Sequence, residues 1–214
     1  VPKGQLTMLL GRNGAGKTTT LRTIMGLWHA SQGRVRFGDK DIAAMRTPQI
    51  AELGIAYVPE NMGIFSDLTV KENMLLAARG ARNAAEIDDT RLKWIFKLFP
   101  AVEKFWNHPA GKLSGGQKQM LAVSRAIVEP RELLLIDEPS KGLAPVMINN
   151  MIDAFAELKA SGVTILLVEQ NINFAQRLGD NVAVMDNGRV VHSGSMAAFS
   201  ADAQLQQSLL GLAL

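Results

Sequence analysis

Eight residues near the start of the chain have the spacing of a phosphate-binding loop. Gly11 to Thr18 reads G-R-N-G-A-G-K-T and fits the pattern G-x-x-x-x-G-K-[ST], in which glycines let backbone N–H groups converge on phosphate oxygens. We expect Lys17 to reach the terminal phosphates of a nucleotide and the Thr18 hydroxyl to bind Mg²⁺. The amides that complete the cradle belong to Asn13, Gly14, Ala15 and Gly16.

Two carboxylates follow an apolar run further along the chain. Leu133 to Ile136 predicts a buried strand, and Asp137 and Glu138 come directly after it. Ligands of open α/β sheets bind beyond the carboxyl ends of the strands, so these side chains would lie beside the phosphates. We expect Asp137 to hold Mg²⁺ and Glu138 to polarise an attacking water. The structural alternative is a solvated turn before Pro139.

A serine and two glycines precede a long helical run. In Leu113 to Gln117, which reads L-S-G-G-Q, these residues would leave unpaired amides at a helix N-terminus, a second anion site. The first loop already encloses the one terminal phosphate of a nucleotide, so this site suits a nucleotide held by another subunit. The alternative is a serine N-cap with a flexible glycine entry. The candidate residues are Ser114, Gly115, Gly116 and Gln117.

Short apolar runs alternate with helical or turn-rich segments, which predicts a mostly parallel sheet covered on both faces. The runs are 6–10, 55–58, 133–136, 163–168 and 182–185. The long stretch between 58 and 133 has helical periodicity without a convincing strand, so it predicts a helical insertion. Asp186-Asn187-Gly188 predicts a hairpin, and 201–212 predicts a terminal amphipathic helix.

The composition is that of a globular protein. The chain has 214 residues, of which 47% are hydrophobic and 20% charged, and its net charge is +3. No run of like charges supports a nucleic-acid stripe or a polybasic membrane tether. The sequence has no cysteine, which excludes disulfides and thiolate sites. It also lacks an apolar window long enough to span a membrane and a start typical of a signal peptide.

The three motifs, in this order, resemble those of the ATP-binding subunit of an ABC transporter, and Leu113 to Gln117 matches the family signature in full. The resemblance extends from Gly4 onward. Three further stretches resemble one branch, the second ATPase subunit of branched-chain amino-acid importers (the LivF type). These stretches are Gly54 to Glu60, Ser140 to Pro145 and Leu167 to Asn171.

The resemblance implies an α/β fold of the P-loop NTPase type. Residues 1–66 and 130–214 would form a RecA-like nucleotide-binding core, and residues 67–129 a helical subdomain that carries the signature motif. The chain starts at Val1 and reaches the phosphate loop by Gly11. We therefore expect the family's N-terminal strands to be missing, together with the aromatic residue that stacks on adenine.

The resemblance also marks three departures near the phosphates. Glu60 stands where most members have a glutamine, so it can bind Mg²⁺ or the attacking water but adds negative charge. Gln170 replaces the usual switch histidine, and it can donate a hydrogen bond without becoming a cation. Ala144 replaces an aspartate that couples the two subunits. Chemistry would rest on Glu138, with Gln170 and Glu60 assisting.

The remaining site assignments also follow from the resemblance. Thr19 joins the nucleotide-binding residues of the loop, and the Mg²⁺ ligands would be Thr18, Asp137 and Glu60. Met62 to Phe65, with Leu68 to Ala78, would form a groove for a cytoplasmic helix of a membrane subunit, whereas a satellite core under the loop is the structural alternative.

As a member of this family, the chain would hydrolyse ATP to ADP and phosphate and so drive amino-acid uptake. Its partners would be a homologous second ATPase subunit in a heterodimer, two integral membrane permease subunits and, indirectly, an extracytoplasmic solute-binding protein, but no nucleic acid. It would lie at the cytoplasmic face of the plasma membrane. Two alternatives stay open: a soluble ABC-type ATPase acting on nucleic acid or ribosomes, and a regulatory subunit with little turnover.

Several aromatic and histidine residues are assigned no chemistry. Tyr57 ends a buried strand and is expected to pack rather than stack on a base. Four aromatic residues at near-helical spacing predict the core of the helical segment: Trp94, Phe96, Phe99 and Trp106. Three isolated histidines lack metal-ligand spacing: His29, His108 and His192.

Overall fold

A computed structural model describes residues 1–211, which contain one large sheet and one small hairpin. The strands are β1 (Leu6–Gly11), β2 (Arg36–Phe37), β3 (Lys40–Asp41), β4 (Ile55–Val58), β5 (Leu133–Asp137), β6 (Thr164–Val168), β7 (Asn181–Asp186) and β8 (Arg189–Ser195). The large sheet has six strands in the order β4-β5-β6-β1-β7-β8, and only β7 and β8 pair antiparallel. The predicted mostly parallel sheet is confirmed.

The register of the parallel strands brings their carboxyl ends to one edge. Asp137 of β5 lies opposite Val168 of β6, and Val168 lies opposite Leu9 of β1. The residues that follow these strands therefore meet at that edge. The predicted hairpin joins β7 to β8: Asn187 and Gly188 have φ of 46° and 75°, and two-residue turns that match the twist of paired strands need positive φ at both positions.

Helices cover the sheet. They are α1 (Lys17–Ile24), α2 (Thr47–Glu52), α3 (Val70–Ala77), α4 (Asp89–Leu98), α5 (Pro100–Lys104), α6 (Gly115–Ala126), α7 (Pro145–Ala160), α8 (Ile172–Leu178), α9 (Met196–Ala201) and α10 (Ala203–Leu210). Within residues 1–211, no helix is both long enough and apolar enough to cross a membrane.

Two hydrophobic clusters lie on opposite faces of the sheet. All residues of β5 are buried, because both faces are covered. Leu133 and Leu135 point into the cluster formed with α1 and α2. Leu134 and Ile136 point into the larger cluster, which also holds the buried side chains of α3 to α9. The apolar run at 133–136 is thus explained by burial on both sides.

Residues 67–129 contain α3 to α6 and two short 3-10 helices. Thr69 begins α3 with a capping box, since its hydroxyl accepts from the Glu72 N–H and the Glu72 carboxylate accepts from the Thr69 N–H. The aromatic residues pack inside this segment as predicted: Phe99 is fully buried, and Phe96 meets Trp106 edge to face with ring centroids 5.2 Å apart.

The terminal helix predicted over 201–212 is present as α10, but it begins two residues later than predicted, at Ala203. A separate short helix, α9, ends at Ala201. Asp202 separates them, and its carboxylate accepts the Leu205 N–H at 2.8 Å as the N-cap of α10. Leu212, the end of the predicted helix, lies outside the described residues.

Candidate nucleotide-binding site

The glycines of the phosphate loop are required by its backbone. Gly11 has φ of 149°, and a Cβ there would lie 2.3 Å from the carbonyl oxygen of Met185. Gly16 has φ of 100° and is the N-cap of α1. Residues with a side chain are strained at such angles, so the loop between β1 and α1 needs glycine at both ends. This geometry exposes the N-terminal amides of α1 toward the pocket.

Lys17 lies under the phosphate loop. Its Nζ donates to the carbonyl oxygens of Gly11 at 2.9 Å and Arg12 at 3.0 Å, and the residue is 5% exposed. A lysine ammonium has three donors, so one N–H stays available for a phosphate oxygen. The ammonium thus fixes the loop and presents positive charge to its concave side.

Asp137 is fully buried at the end of β5. Its Oδ1 has no hydrogen-bond partner among the described residues, and its Oδ2 accepts a long hydrogen bond from the Tyr57 hydroxyl at 3.4 Å. Burial raises the pKa of the Asp137 carboxyl, and the adjacent Thr18 side chain partly offsets this increase. A buried acceptor without a partner beside a hydroxyl fits a bound Mg²⁺.

The described residues contain no cage of three or more carboxylate, histidine or cysteine ligands. Mg²⁺ in nucleotide sites usually takes one or two protein ligands and fills the rest with phosphate oxygens and water. The pair Thr18 and Asp137 therefore suits a metal that arrives with a nucleotide. Tyr57, for which the sequence predicted only packing, also contacts Asp137. No sequence signal marked this contact, because it depends on the register of β4 against β5.

Glu138 adopts a backbone conformation that is unusual for a residue with a side chain. Its φ is 49°, and its N–H donates to the carbonyl oxygen of Val168 at 2.9 Å. Non-glycine residues in this region cost about 1–2 kcal/mol and cluster at functional sites. The turn directs the Glu138 carboxylate toward the phosphate loop, where Gln170 Nε2 donates to it at 2.5 Å and to Asn13 Oδ1 at 2.7 Å.

Lys141 forms ion pairs that the sequence did not predict. Its Nζ lies 2.5 Å from Glu60 Oε1 and 3.5 Å from Glu138 Oε2. Hydrogen bonding to Glu60, with the charges of both carboxylates, raises the pKa of Lys141. The extra negative charge that Glu60 brings to the site is therefore balanced by a cation three residues after Glu138. The three-residue spacing between Glu138 and Lys141 was the only sequence signal for this ion pair.

These side chains surround one pocket of about 250 Å³. It brings together most of the residues predicted from the sequence and also includes Lys141. Gln170 hydrogen-bonds two of the lining residues, Asn13 and Glu138. The residues that line it are Asn13, Gly14, Ala15, Gly16, Lys17, Thr18, Thr19, Glu60, Glu138 and Lys141.

The signature motif does not line this pocket within the described chain. Ser114 caps α6: its Oγ accepts the Gln117 N–H at 3.3 Å, and Gln117 Oε1 accepts the Ser114 N–H at 2.9 Å. A Cβ on Gly116 would lie 2.6 Å from the Met147 Cε, so α6 packs closely against α7 here. A Cβ on Gly115, by contrast, would have no atom within 4 Å. Contact of this motif with a nucleotide of another subunit stays a prediction.

A second, larger cavity of about 770 Å³ lies between the sheet and the helical segment. Met62 and Gly63 line it, with Trp28, Leu76 and Arg125. Trp28 and Leu76 are 47% and 61% exposed, which is unusual for side chains of this size. Met62 and Ile64 also pack against the larger hydrophobic cluster, whereas Phe65 is 49% exposed. The segment after Glu60 thus borders the groove and the core, and binding of a membrane-subunit helix in the groove stays a prediction.

The chain is similar to known nucleotide-binding proteins. The family model described as ABC transporter matches residues 1–141. The high-affinity branched-chain amino acid transport ATP-binding protein BraG of Pseudomonas aeruginosa is 38% identical over 211 residues, covering 99% of this chain and 90% of BraG. The probable branched-chain amino acid transport ATP-binding protein LivF of Archaeoglobus fulgidus is 36% identical, covering 91% of this chain and 82% of that protein.

A solved structure shares the fold. The dimeric structure of a bacterial ABC transporter cassette superimposes with a TM-score of 0.81 at 25% identity, and the match covers 92% of this chain and 87% of that one. The phosphate loop, the paired carboxylates and the capped signature helix all lie in regions that these matches cover. The chain belongs to the ABC transporter family.

Proposed function

We propose that this chain hydrolyses ATP to ADP and phosphate and that it powers the uptake of branched-chain or related amino acids through separate membrane subunits. The observation that carries the proposal is the position of Glu138: a buried turn directs its carboxylate to the phosphate loop, and Gln170 links the two. This is the geometry needed to align a water with a terminal phosphate.

Each residue of the pocket has a distinct task. Lys17 and the loop amides stabilise the negative charge that develops on the transferred phosphoryl group. Glu138 accepts a hydrogen bond from the attacking water and orients it in line. Gln170 donates to Glu138 and cannot itself take up a proton near neutral pH, so Glu138 is the acceptor in the reaction.

Mg²⁺, held by Thr18 and Asp137 with Glu60 as a further candidate ligand, would neutralise part of the phosphate charge. The Glu60 carboxylate forms an ion pair with Lys141. It must leave Lys141, or share it, before it can contribute to metal binding.

The position of the signature motif outside the pocket supports a proposal for the subunit arrangement. The Ser114 end of α6 does not serve the pocket of its own chain, so it would close over the nucleotide of a second, homologous ATPase subunit in a heterodimer. In this arrangement 67–129 acts as a helical subdomain on a core of 1–66 and 130–214. ATP bridges the two subunits, and hydrolysis removes that bridge.

The relatives support the transport assignment. BraG and LivF are described as branched-chain amino acid transport proteins, so two permease subunits would receive this chain at the cytoplasmic face of the plasma membrane. The groove beside Met62 and Leu76 offers exposed apolar side chains for a permease helix. A solute-binding protein outside the membrane would deliver the amino acid to the permeases.

Phosphate release by the full chain with its partner subunits tests the proposal. Mg²⁺ and ATP should give steady turnover, and Lys17→Ala should abolish turnover and weaken ATP binding, because Lys17 fixes the loop as well as facing the phosphates. Normal nucleotide affinity in Lys17→Ala would contradict the assigned site. Absence of hydrolysis by the complete wild-type complex would favour the low-turnover regulatory alternative.

A further inference from the structure

Glu169 is a buried carboxylate that the reaction described above does not use. It follows β6 directly and is 2% exposed. Its partners are three backbone amides: Oε1 accepts the Ser140 N–H at 2.9 Å, and Oε2 accepts the N–H groups of Gln170 at 3.0 Å and Asn171 at 3.1 Å. The two oxygens therefore serve two different loops.

Those two loops carry the two side chains that meet in the pocket. Ser140 lies two residues after Glu138, and Gln170 follows Glu169 directly. Gln170 and Glu138 are joined by the 2.5 Å hydrogen bond described above. Glu169 thus links the backbones of the two loops whose side chains, Glu138 and Gln170, are hydrogen-bonded to each other.

An ionised carboxylate suits this link better than other side chains. It accepts hydrogen bonds at both oxygens and has no donor, whereas a glutamine must turn an NH₂ group toward one of the loops. Burying a carboxylate is costly unless its oxygens are hydrogen-bonded. Burial raises the pKa of Glu169, and the hydrogen bonds from Ser140, Asn171 and Gln170 oppose that increase.

We propose that Glu169 is a positioning residue for ATP hydrolysis: by holding the Ser140 and Gln170 amides, it sets the side chain of Gln170 against Glu138. Glu169 is not among the residues that line the phosphate pocket. The inference rests on the proposed function, since it concerns the hydrolysis assigned to Glu138.

Two variants break the link in different ways. Glu169→Gln keeps the length but presents an NH₂ to one loop, and Glu169→Asp keeps the charge but is one methylene shorter, so it cannot reach both loops. Both should lower kcat by ~10- to 100-fold, the loss expected when a reacting group is misplaced by about 1 Å. The KM for ATP should stay within about two-fold, because the phosphate loop is unchanged. Glu103→Gln, an exposed change in α5, is the matched control.

A double variant separates positioning from a general loss of structure. In the Gln170→Ala background there is no amide left to position, so adding Glu169→Gln should lower kcat by less than about three-fold further. Hydrogen exchange gives a readout without nucleotide: the Ser140 and Gln170 amides should be protected in the wild type, and at least one of them should exchange at least ~10-fold faster in Glu169→Gln.

The possible failures are distinguishable. A wild-type complex that does not hydrolyse ATP would overturn the proposed function. A wild type that hydrolyses ATP while both Glu169 variants keep kcat within two-fold would overturn the role of Glu169 alone. The same conclusion follows if the Glu169 and Gln170 effects multiply, if only KM changes, or if the wild-type Ser140 amide is unprotected.

Discussion

The side-chain amide of Gln170 donates a hydrogen bond to the carboxylate of Glu138, with 2.5 Å between Nε2 and Oε1. The same amide reaches Asn13 in the phosphate loop. A neutral donor thus lies beside the carboxylate that we propose to be catalytic, and it cannot become a cation near neutral pH. The proposed chemistry therefore depends on Glu138.

Replacing Glu138 by glutamine should separate binding from turnover. We expect hydrolysis to fall by ~10²- to 10⁴-fold, because an amide is a poor acceptor for the proton of the attacking water. ATP affinity should change by less than about three-fold, since Lys17 and the loop amides remain. Phosphate release and titration with a fluorescent ATP analogue measure the two quantities. Unchanged hydrolysis would rule out the role assigned to Glu138.

Lys141 should matter because it balances Glu60 at the mouth of the pocket. Lys141→Met leaves the Glu60 charge uncompensated beside the phosphates, so we expect the Kd for ATP to rise by ~3-fold or more at low salt. Adding Glu60→Gln should restore most of the loss, because the charge that Lys141 neutralised is gone. Equilibrium binding of ATP to the single and double variants provides the test.

The control for that cycle is Lys93→Met, which removes an exposed ion pair with Asp89 on α4, and neither residue lines the phosphate pocket. It should leave ATP affinity unchanged. If the double variant binds ATP no better than Lys141→Met alone, Lys141 does not act by neutralising Glu60.

Asp137→Asn should stabilise the nucleotide-free fold while removing activity. Burial raises the pKa of Asp137 above its ordinary value of 3.8, so folding disfavours the ionised form. That penalty is complete above the folded-state pKa and disappears as the pH falls below 3.8. At pH 7 we expect the melting temperature of Asp137→Asn to exceed that of the wild type, because the amide has no charge to desolvate on folding.

The stabilisation should shrink as the pH is lowered toward 4, and Mg²⁺-dependent hydrolysis should be lost at every pH. Melting followed by circular dichroism at several pH values measures the first effect. Asp153→Asn, an exposed change on α7, serves as the control. If Asp137→Asn melts below the wild type at pH 7, the ionised Asp137 carboxylate does not destabilise the protein in the absence of nucleotide.

The core strands and the phosphate loop were predictable from the sequence. The run at 55–58 is β4 without change, and burial of β5 on both faces explains why its apolar run is continuous. The phosphate loop was readable because its glycines are required by positive φ. These features depend on local spacing, which a sequence displays directly.

Contacts between loops were not predictable in the same way. Lys141, Glu169 and Tyr57 act on groups that come from other strands, and only the register of the sheet brings them together. The start of α10 was placed two residues too early for another reason: Asp202 caps the helix, and its carboxylate accepts the Leu205 N–H.

We propose that ATP in the Gly11–Thr18 loop is enclosed by the Ser114 helix of a second subunit. Sedimentation of Glu138→Gln, alone and mixed with its homologous ATPase subunit, measures whether ATP joins two subunits. Saturating Mg²⁺ and ATP should convert monomers into dimers in at least one of these samples, and adding Ser114→Glu should prevent the conversion by placing a negative charge against the phosphate. Chains that bind ATP yet stay monomeric in both samples, or dimerise equally well with Ser114→Glu, would contradict the account.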